Sequence, residues 1–330
     1  MSVVVPKQVV PPTEFQLYKK HFVAGATALS LSYSCMHPLD TIKTRIQADV
    51  LRSWRAIFSR ETLRSLGKGF FVSALGAAGQ GGARFSTYEL CKARLLPPQD
   101  QKKPWAIPAT ALSAVFGDLA SSVIKVPREV ITAKLQTDHY GVSATAAQVV
   151  RQTLREEGPQ GLFRGFWPIA ARDFPFMVIL LVSYENFKAF HHRSVREDLI
   201  KNINRYEPHQ QQVVAGAAFE ELEADIPTLR SVLYGGVSGF LAGYFTTPMD
   251  VLRTRMITMK QHEPVTVKQV TQSIFDRVRA QNKGRPLAQS AALYQSFFAG
   301  SLPRSFWWFG ICGIFFPTYE TLKSLMIPGK

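Results

Sequence analysis

The sequence predicts an all-α membrane protein, with six transmembrane helices set out as three tandem helix pairs in a pseudo-threefold barrel. Three observations predict it. Two stretches of 19 residues, 21–39 and 231–249, contain no Asp, Glu, Lys or Arg. A helix of that length, at ~1.5 Å per residue, crosses a hydrocarbon core of ~30 Å. Two different charged motifs each recur three times along the chain. The mean hydropathy of −0.01 is low for a chain with many spans. It fits helices that ring a watery cavity and show lipid on one face only.

The first motif is Pro38-Leu39-Asp40-Thr41-Ile42-Lys43-Thr44-Arg45-Ile46-Gln47. It returns as Pro127-Arg128-Glu129-Val130-Ile131-Thr132-Ala133-Lys134-Leu135-Gln136, and as Pro248-Met249-Asp250-Val251-Leu252-Arg253-Thr254-Arg255-Met256-Ile257. Each copy closes an apolar stretch. The second motif, Tyr-Glu-x-x-Lys, comprises Tyr88, Glu89 and Lys92; Tyr184, Glu185 and Lys188; and Tyr319, Glu320 and Lys323. Gly69, Gly165 and Gly300 precede the three tyrosines at one constant spacing, so the copies are in register. The repeats therefore divide the chain into 1–98, 99–225 and 226–330, with a polar, acidic insertion at about 191–225 ending the second.

In physical terms the first motif kinks a long helix at proline and sets an acid and a base one turn apart. Three such copies around a threefold axis can pair acid to base between neighbours and close one end of a barrel. The tyrosine motif can close the other end. Ordinary interfacial charges at span ends are the alternative for any single copy, and threefold recurrence argues against it. Short amphipathic surface helices are predicted over 144–157 and 267–279.

Composition excludes several functions. The net charge of +15 comes without any nucleic-acid-binding pattern and its basic residues are spread among apolar spans, so nucleic acid is not a partner. Cys35, Cys91 and Cys312 are isolated, giving neither a disulfide framework nor a metal-ligand spacing. No nucleophile–base pair, phosphate loop or metal cluster marks an enzyme, and no cofactor is expected. Residues 1–12 have neither an Arg nor an apolar core, unlike a presequence or a signal peptide.

At these motifs the chain resembles the mitochondrial carrier family over nearly its whole length. The resemblance implies a monomeric, multi-pass carrier of the mitochondrial inner membrane, or of a plastid envelope or other organelle membrane, with the surface helices on the matrix side. It implies exchange of a small-molecule substrate by alternating access between two ion-pair gates. Asp40, Lys43, Glu129, Asp250 and Arg253 match the matrix gate, with Gln47 and Gln136 as its glutamine braces. Glu89, Lys92, Glu185, Lys188, Glu320 and Lys323 match the cytoplasmic gate, braced by Tyr88, Tyr184 and Tyr319. Thr132 stands where the family has a base and Ile257 where it has a glutamine, so the matrix ring has two possible ion pairs against three opposite. From that imbalance the matrix-open state is expected to be the resting one. Phe163-Arg164-Gly165 resembles the family's cardiolipin-binding turn.

Arg172 and Asp173 lie inside the fourth span, where charges are costly and usually face a functional cavity. The alternative is an internal salt bridge that fixes helix packing. By family analogy they fall on the central contact point, as do Gly76 on the second span and Trp307 and Trp308 on the sixth; Tyr33 is another family contact position. An adjacent Arg and acid there resemble the carriers of amino-acid derivatives, in which they hold a carboxylate and an ammonium. Asp118 is a second candidate contact, equally readable as a polar partner of a neighbouring helix. The tryptophans can pack or can stack on a purine or a sulfonium. Within the family, Gly117-Asp118, Lys125-Val126-Pro127 and Arg172-Asp173-Phe174-Pro175-Phe176 most resemble S-adenosylmethionine carriers. An iron carrier, a carrier of another amino acid or nucleotide, and a non-transporting scaffold are the alternatives.

Overall fold

In the computed structural model the described residues are 14–51, 58–96, 106–203, 228–258, 266–282 and 285–326, and every regular element among them is a helix. The first proline-motif helix, α1 (Glu14–Gln47), runs unbroken through Pro38, and α4 (Ala106–Gln136) does the same through Pro127. In the third copy the chain breaks instead, with α8 (Thr228–Phe245) ending just before α9 (Thr247–Thr258), whose first turn holds Pro248. Proline removes an N–H and leaves a carbonyl one turn earlier without its donor. The Thr246 and Thr247 hydroxyls donate to the carbonyls of Ala242 and Gly243 at 2.7 and 2.8 Å around that break.

The tyrosine-motif helices are α3 (Phe70–Leu95), α7 (Phe166–Ile203) and α12 (Ser301–Met326). Each begins directly after a glycine with positive φ: Gly69 at 78°, Gly165 at 86° and Gly300 at 71°. A side chain is strained in that conformation, which explains the residue type at all three equivalent positions. Each glycine also seats the neighbouring repeat: a Cβ on Gly69 would touch Thr132 and Leu135, one on Gly165 would touch Ile257, and one on Gly300 would touch Gln47. The contacts run from repeat one to two, two to three and three to one, which is cyclic closure.

Shorter helices cover the proline-motif end: α2 (Arg60–Ser65), α5 (Ala146–Glu156), α6 (Gly158–Leu162), α10 (Val267–Gln281) and α11 (Pro286–Phe297). The predicted surface helices are α5 and α10, each opened by a reciprocal capping box, Thr145 with Gln148 and Thr266 with Gln269. The insertion at 191–225 is helical at its start, as the end of α7; its residues 204–225 lie outside the described ones, as do residues 1–12.

Around the ring α1 packs on α3, α3 on α4, α7 on α8, α8 on α12 and α12 on α1. Between α4 and α7 close packing is sparse, and the Lys125–Asp173 ion pair joins them. By length and composition one described stretch, Gly158–Asp198, suffices to cross a membrane, and Val232–Phe245 is a shorter apolar helix. The other long helices carry acids, bases and hydroxyls along the face turned to the ring's interior, which lowers their mean hydropathy.

Candidate functional site

The ring encloses a cavity of about 350 Å³. It is lined from Tyr88 and Phe316, near the tyrosine motifs, down to Gln136, Thr254 and Ile257, within the proline motifs. Its two ends differ in state.

At the proline-motif end the ring is shut. Lys43 of α1 pairs with Asp250 of α9 at 3.0 Å, and Arg253 of α9 pairs with Glu129 of α4. These are the two inter-repeat pairs that the sequence allows. At the third position Thr132 supplies no charge, and Asp40 meets the Gln136 amide at 3.1 Å and its own helix's Lys43 at 3.9 Å. Gln136 also donates to Thr41, and Gln47 accepts from the Thr254 hydroxyl at 3.1 Å. Ile257, in place of a third glutamine, is fully buried against Val130 and Ala133. An apolar plug thus stands where the other repeats have an amide.

Asp250 is the hub of this end. Its side chain is 0% exposed and takes Lys43, Arg253 at 3.4 Å, Arg172 at 2.7 Å and Arg304 at 2.6 Å. Burial of one carboxylate is sustained here by four cations. The structure shows one state of the molecule, with the proline-motif end closed by this network. The missing base at Thr132 is offset by Arg172 and Arg304, which lie outside the ring motif.

At the tyrosine-motif end a single cross-repeat pair forms among the described residues, Lys323 to Glu89 at 3.7 Å, with the lysine side chain 37% exposed. Lys92 lies over the Tyr88 ring at 5.7 Å and Lys323 over the Tyr319 ring at 5.9 Å. Tyr319 meets His21 of α1 at 3.1 Å. Glu185 is exposed, Lys188 and Tyr184 are half-buried, and the Glu320 side chain lies outside the described ones.

Between the two ends lie the central candidates. Arg172 is buried, and each of its three guanidinium nitrogens donates to a carboxylate: Nε and Nη2 to Asp173, and Nη1 to Asp250. Asp173 also receives Lys125, which reaches Asp118 at 3.3 Å; Asp118 in turn is 3.5 Å from Arg84. Tyr33 meets Trp307 edge-on at 5.1 Å, and Trp308 lies 4.2 Å from the Phe176 ring. Gly76 does not line the cavity; it makes room for the stem of Arg128, which a Cβ there would strike.

Sequence reasoning passed over Arg84, Arg128 and Arg304 as contacts. The signal for them was in the repeats. Arg84 aligns with Leu180 and Phe315, Arg128 with Leu39 and Met249, and Arg304 with Ser73 and Ile169. A charge found in one repeat alone is not part of either threefold motif, and each of these faces the cavity.

Comparison with known proteins agrees with this architecture. The chain matches the family described as mitochondrial carrier protein over residues 17–98, 104–195 and 224–330. It is 28% identical to S-adenosylmethionine carrier 1, chloroplastic/mitochondrial, of Arabidopsis thaliana, over 94% of this chain and 80% of that protein. It is 28% identical to the mitochondrial S-adenosylmethionine carrier protein of Xenopus tropicalis, over 92% and 95%. It is 26% identical to mitoferrin of Dictyostelium discoideum, over 72% of each.

Proposed function

The chain belongs to the mitochondrial carrier family, and on that premise we propose that it is a six-span carrier of the mitochondrial inner membrane that exchanges S-adenosylmethionine. The observation that carries the reading is a cavity between two charged rings, one paired and buried, the other half-exposed. Such a pair of ends is what alternating access needs: the shut ring holds a barrier while the other admits substrate.

The substrate supports this assignment by its chemistry. S-adenosylmethionine brings a carboxylate, an ammonium, a sulfonium and a purine. The cavity offers guanidinium groups for the carboxylate, Asp173 and Asp118 for the ammonium, and Tyr33, Trp307 and Trp308 as aromatic surface for the sulfonium or the base. Relatives named as S-adenosylmethionine carriers span nearly all of this chain. The polar turn at Arg164 and Gly165, where α7 begins, is the proposed contact for cardiolipin phosphate. The chain acts as a monomer in this reading, since the cavity is complete within one copy.

An iron substrate is favoured by the similarity to mitoferrin alone. Among the described residues no group of three His, Cys, Asp or Glu side chains is placed to hold a metal. His37, the one histidine near the middle of a span, gives Nε2 to the Lys68 carbonyl and does not line the cavity.

The test is exchange in cardiolipin-containing vesicles. Purified protein is expected to take up radiolabelled S-adenosylmethionine against internal S-adenosylmethionine or its demethylated product. Background uptake by protein shown to be folded would refute the assignment.

A further inference from the structure

We propose that Arg128 anchors the carboxylate of the transported amino-acid derivative, an inference that rests on the substrate class given above and adds the residue that selects for it. Arg172 was the sequence's candidate for that role, but its Nε, Nη1 and Nη2 all serve protein carboxylates. Lys43, Arg253 and Arg304 are likewise held by Asp250, and Lys125 by Asp118 and Asp173.

Arg128 is different. It lines the cavity, yet the one acid within ion-pair distance among the described residues is its own neighbour Glu129, at 3.5 Å, which Arg253 already engages. Its side chain is 4% exposed and its Nε has no hydrogen-bond partner. The Nε atoms of Arg253 and Arg304 are idle too, but those guanidinium groups are held by Glu129 and Asp250 across the ring, whereas Arg128 has no acid from another element within ion-pair distance among the described residues. A buried guanidinium with an idle donor is a poor structural element and a ready binding one, because its planar fork matches a carboxylate. The fork is pre-set: the guanidinium lies 4.4 Å from the centre of the Tyr33 ring, and the stem crosses Gly76, where no other residue leaves space. Tyr33, Gly76 and Arg128 come from three helices and make one constellation.

Placement favours the same reading. Arg128 stands one helical turn from Lys125, whose ammonium touches Asp173. A carboxylate on Arg128 leaves Asp173 and Asp118 to face the substrate's ammonium. The equivalent positions in the other repeats hold Leu39 and Met249, so the charge is not a demand of the fold.

The experiment compares S-adenosylmethionine with its decarboxylated counterpart in vesicle exchange. The parent is expected to prefer the carboxylate-bearing probe. Arg128→Gln should raise KM for that probe about tenfold or more, as for loss of a charge-assisted pair, and leave the decarboxylated probe within about twofold. Arg128→Lys should fall between. Equal losses on both probes, or an unchanged preference, would overturn the inference. A second measurement needs neither transport nor a folded variant: modification of Arg128 by phenylglyoxal in the parent, mapped by mass spectrometry. L-methionine should slow it and methionine amide should not. If the parent exchanges neither adenosyl probe, the proposed substrate fails, and protection by L-methionine still upholds the anion site. Absence of protection by any carboxylate overturns it.

Discussion

The two ends of the cavity are written with the same chemistry and held in opposite states. Both carry an acid and a base per repeat, with a deficit at Thr132 in the proline motifs. Yet the proline-motif end is the one that is shut, with Asp250 wholly buried, while at the tyrosine-motif end the Lys323 side chain keeps more than a third of its surface in solvent. Charge count alone does not decide which ring closes. Convergence does: Arg172 and Arg304 reach Asp250 from α7 and α12, turning a two-pair ring into a network that ties together five elements, α1, α4, α7, α9 and α12. A buried network is costly to open because any partner left behind is stranded. A half-exposed pair is screened and is worth ~1 kcal/mol or less.

That contrast predicts a graded series of mutants. The largest effect is expected from Asp250→Asn, which strips the hub from Lys43, Arg172, Arg253 and Arg304. Loss of uptake should come with a fall in stability of ~3–5 kcal/mol, typical of a broken buried pair, read from thermal unfolding of the purified protein. An unfolding midpoint equal to the parent's would break the comparison. Next comes Asp173→Asn. Arg172 retains Asp250 in that variant, so uptake should vanish while stability drops less than in Asp250→Asn. Equal destabilisation by the two would make Asp173 part of the scaffold instead of a substrate contact.

A smaller effect is expected from Thr132→Lys, which offers Asp40 the inter-repeat partner it lacks. A gain of ~1.4 kcal/mol for the closed proline-motif end shifts the two states about tenfold and should slow exchange by a similar factor. Faster exchange would contradict it. Smallest is Glu89→Gln, which removes the one described cross-repeat pair of the open end. Stability should move by no more than ~0.5 kcal/mol in the absence of substrate. A loss comparable to that of Asp250→Asn would show the tyrosine-motif end to be closed after all.

The helix order and the prolines inside α1 and α4 were legible because threefold recurrence filters out chance. The glycines before the tyrosines were legible as register marks, and their positive φ gives the physical reason. Two things were hidden. The break between α8 and α9, in the third copy alone, has no mark in the proline motif, which is shared with the two copies whose helices continue. The closed end depends on Arg304 and Arg172, which are far from the proline motifs along the chain and meet Asp250 only once the ring is formed. Position-by-position comparison of the repeats would have flagged Arg84, Arg128 and Arg304, since symmetry explains none of them.

The account stands on the two ends opening in turn around one cavity. Ala114 lines that cavity on α4. In a chain with Cys35, Cys91 and Cys312 replaced by serine, an Ala114→Cys variant in vesicles should react with a membrane-impermeant thiol reagent from the tyrosine-motif side alone when no substrate is present. S-adenosylmethionine on both sides should make the same cysteine reachable from the proline-motif side as well. Labelling from both sides without substrate, or labelling that substrate leaves confined to one side, would contradict alternating access.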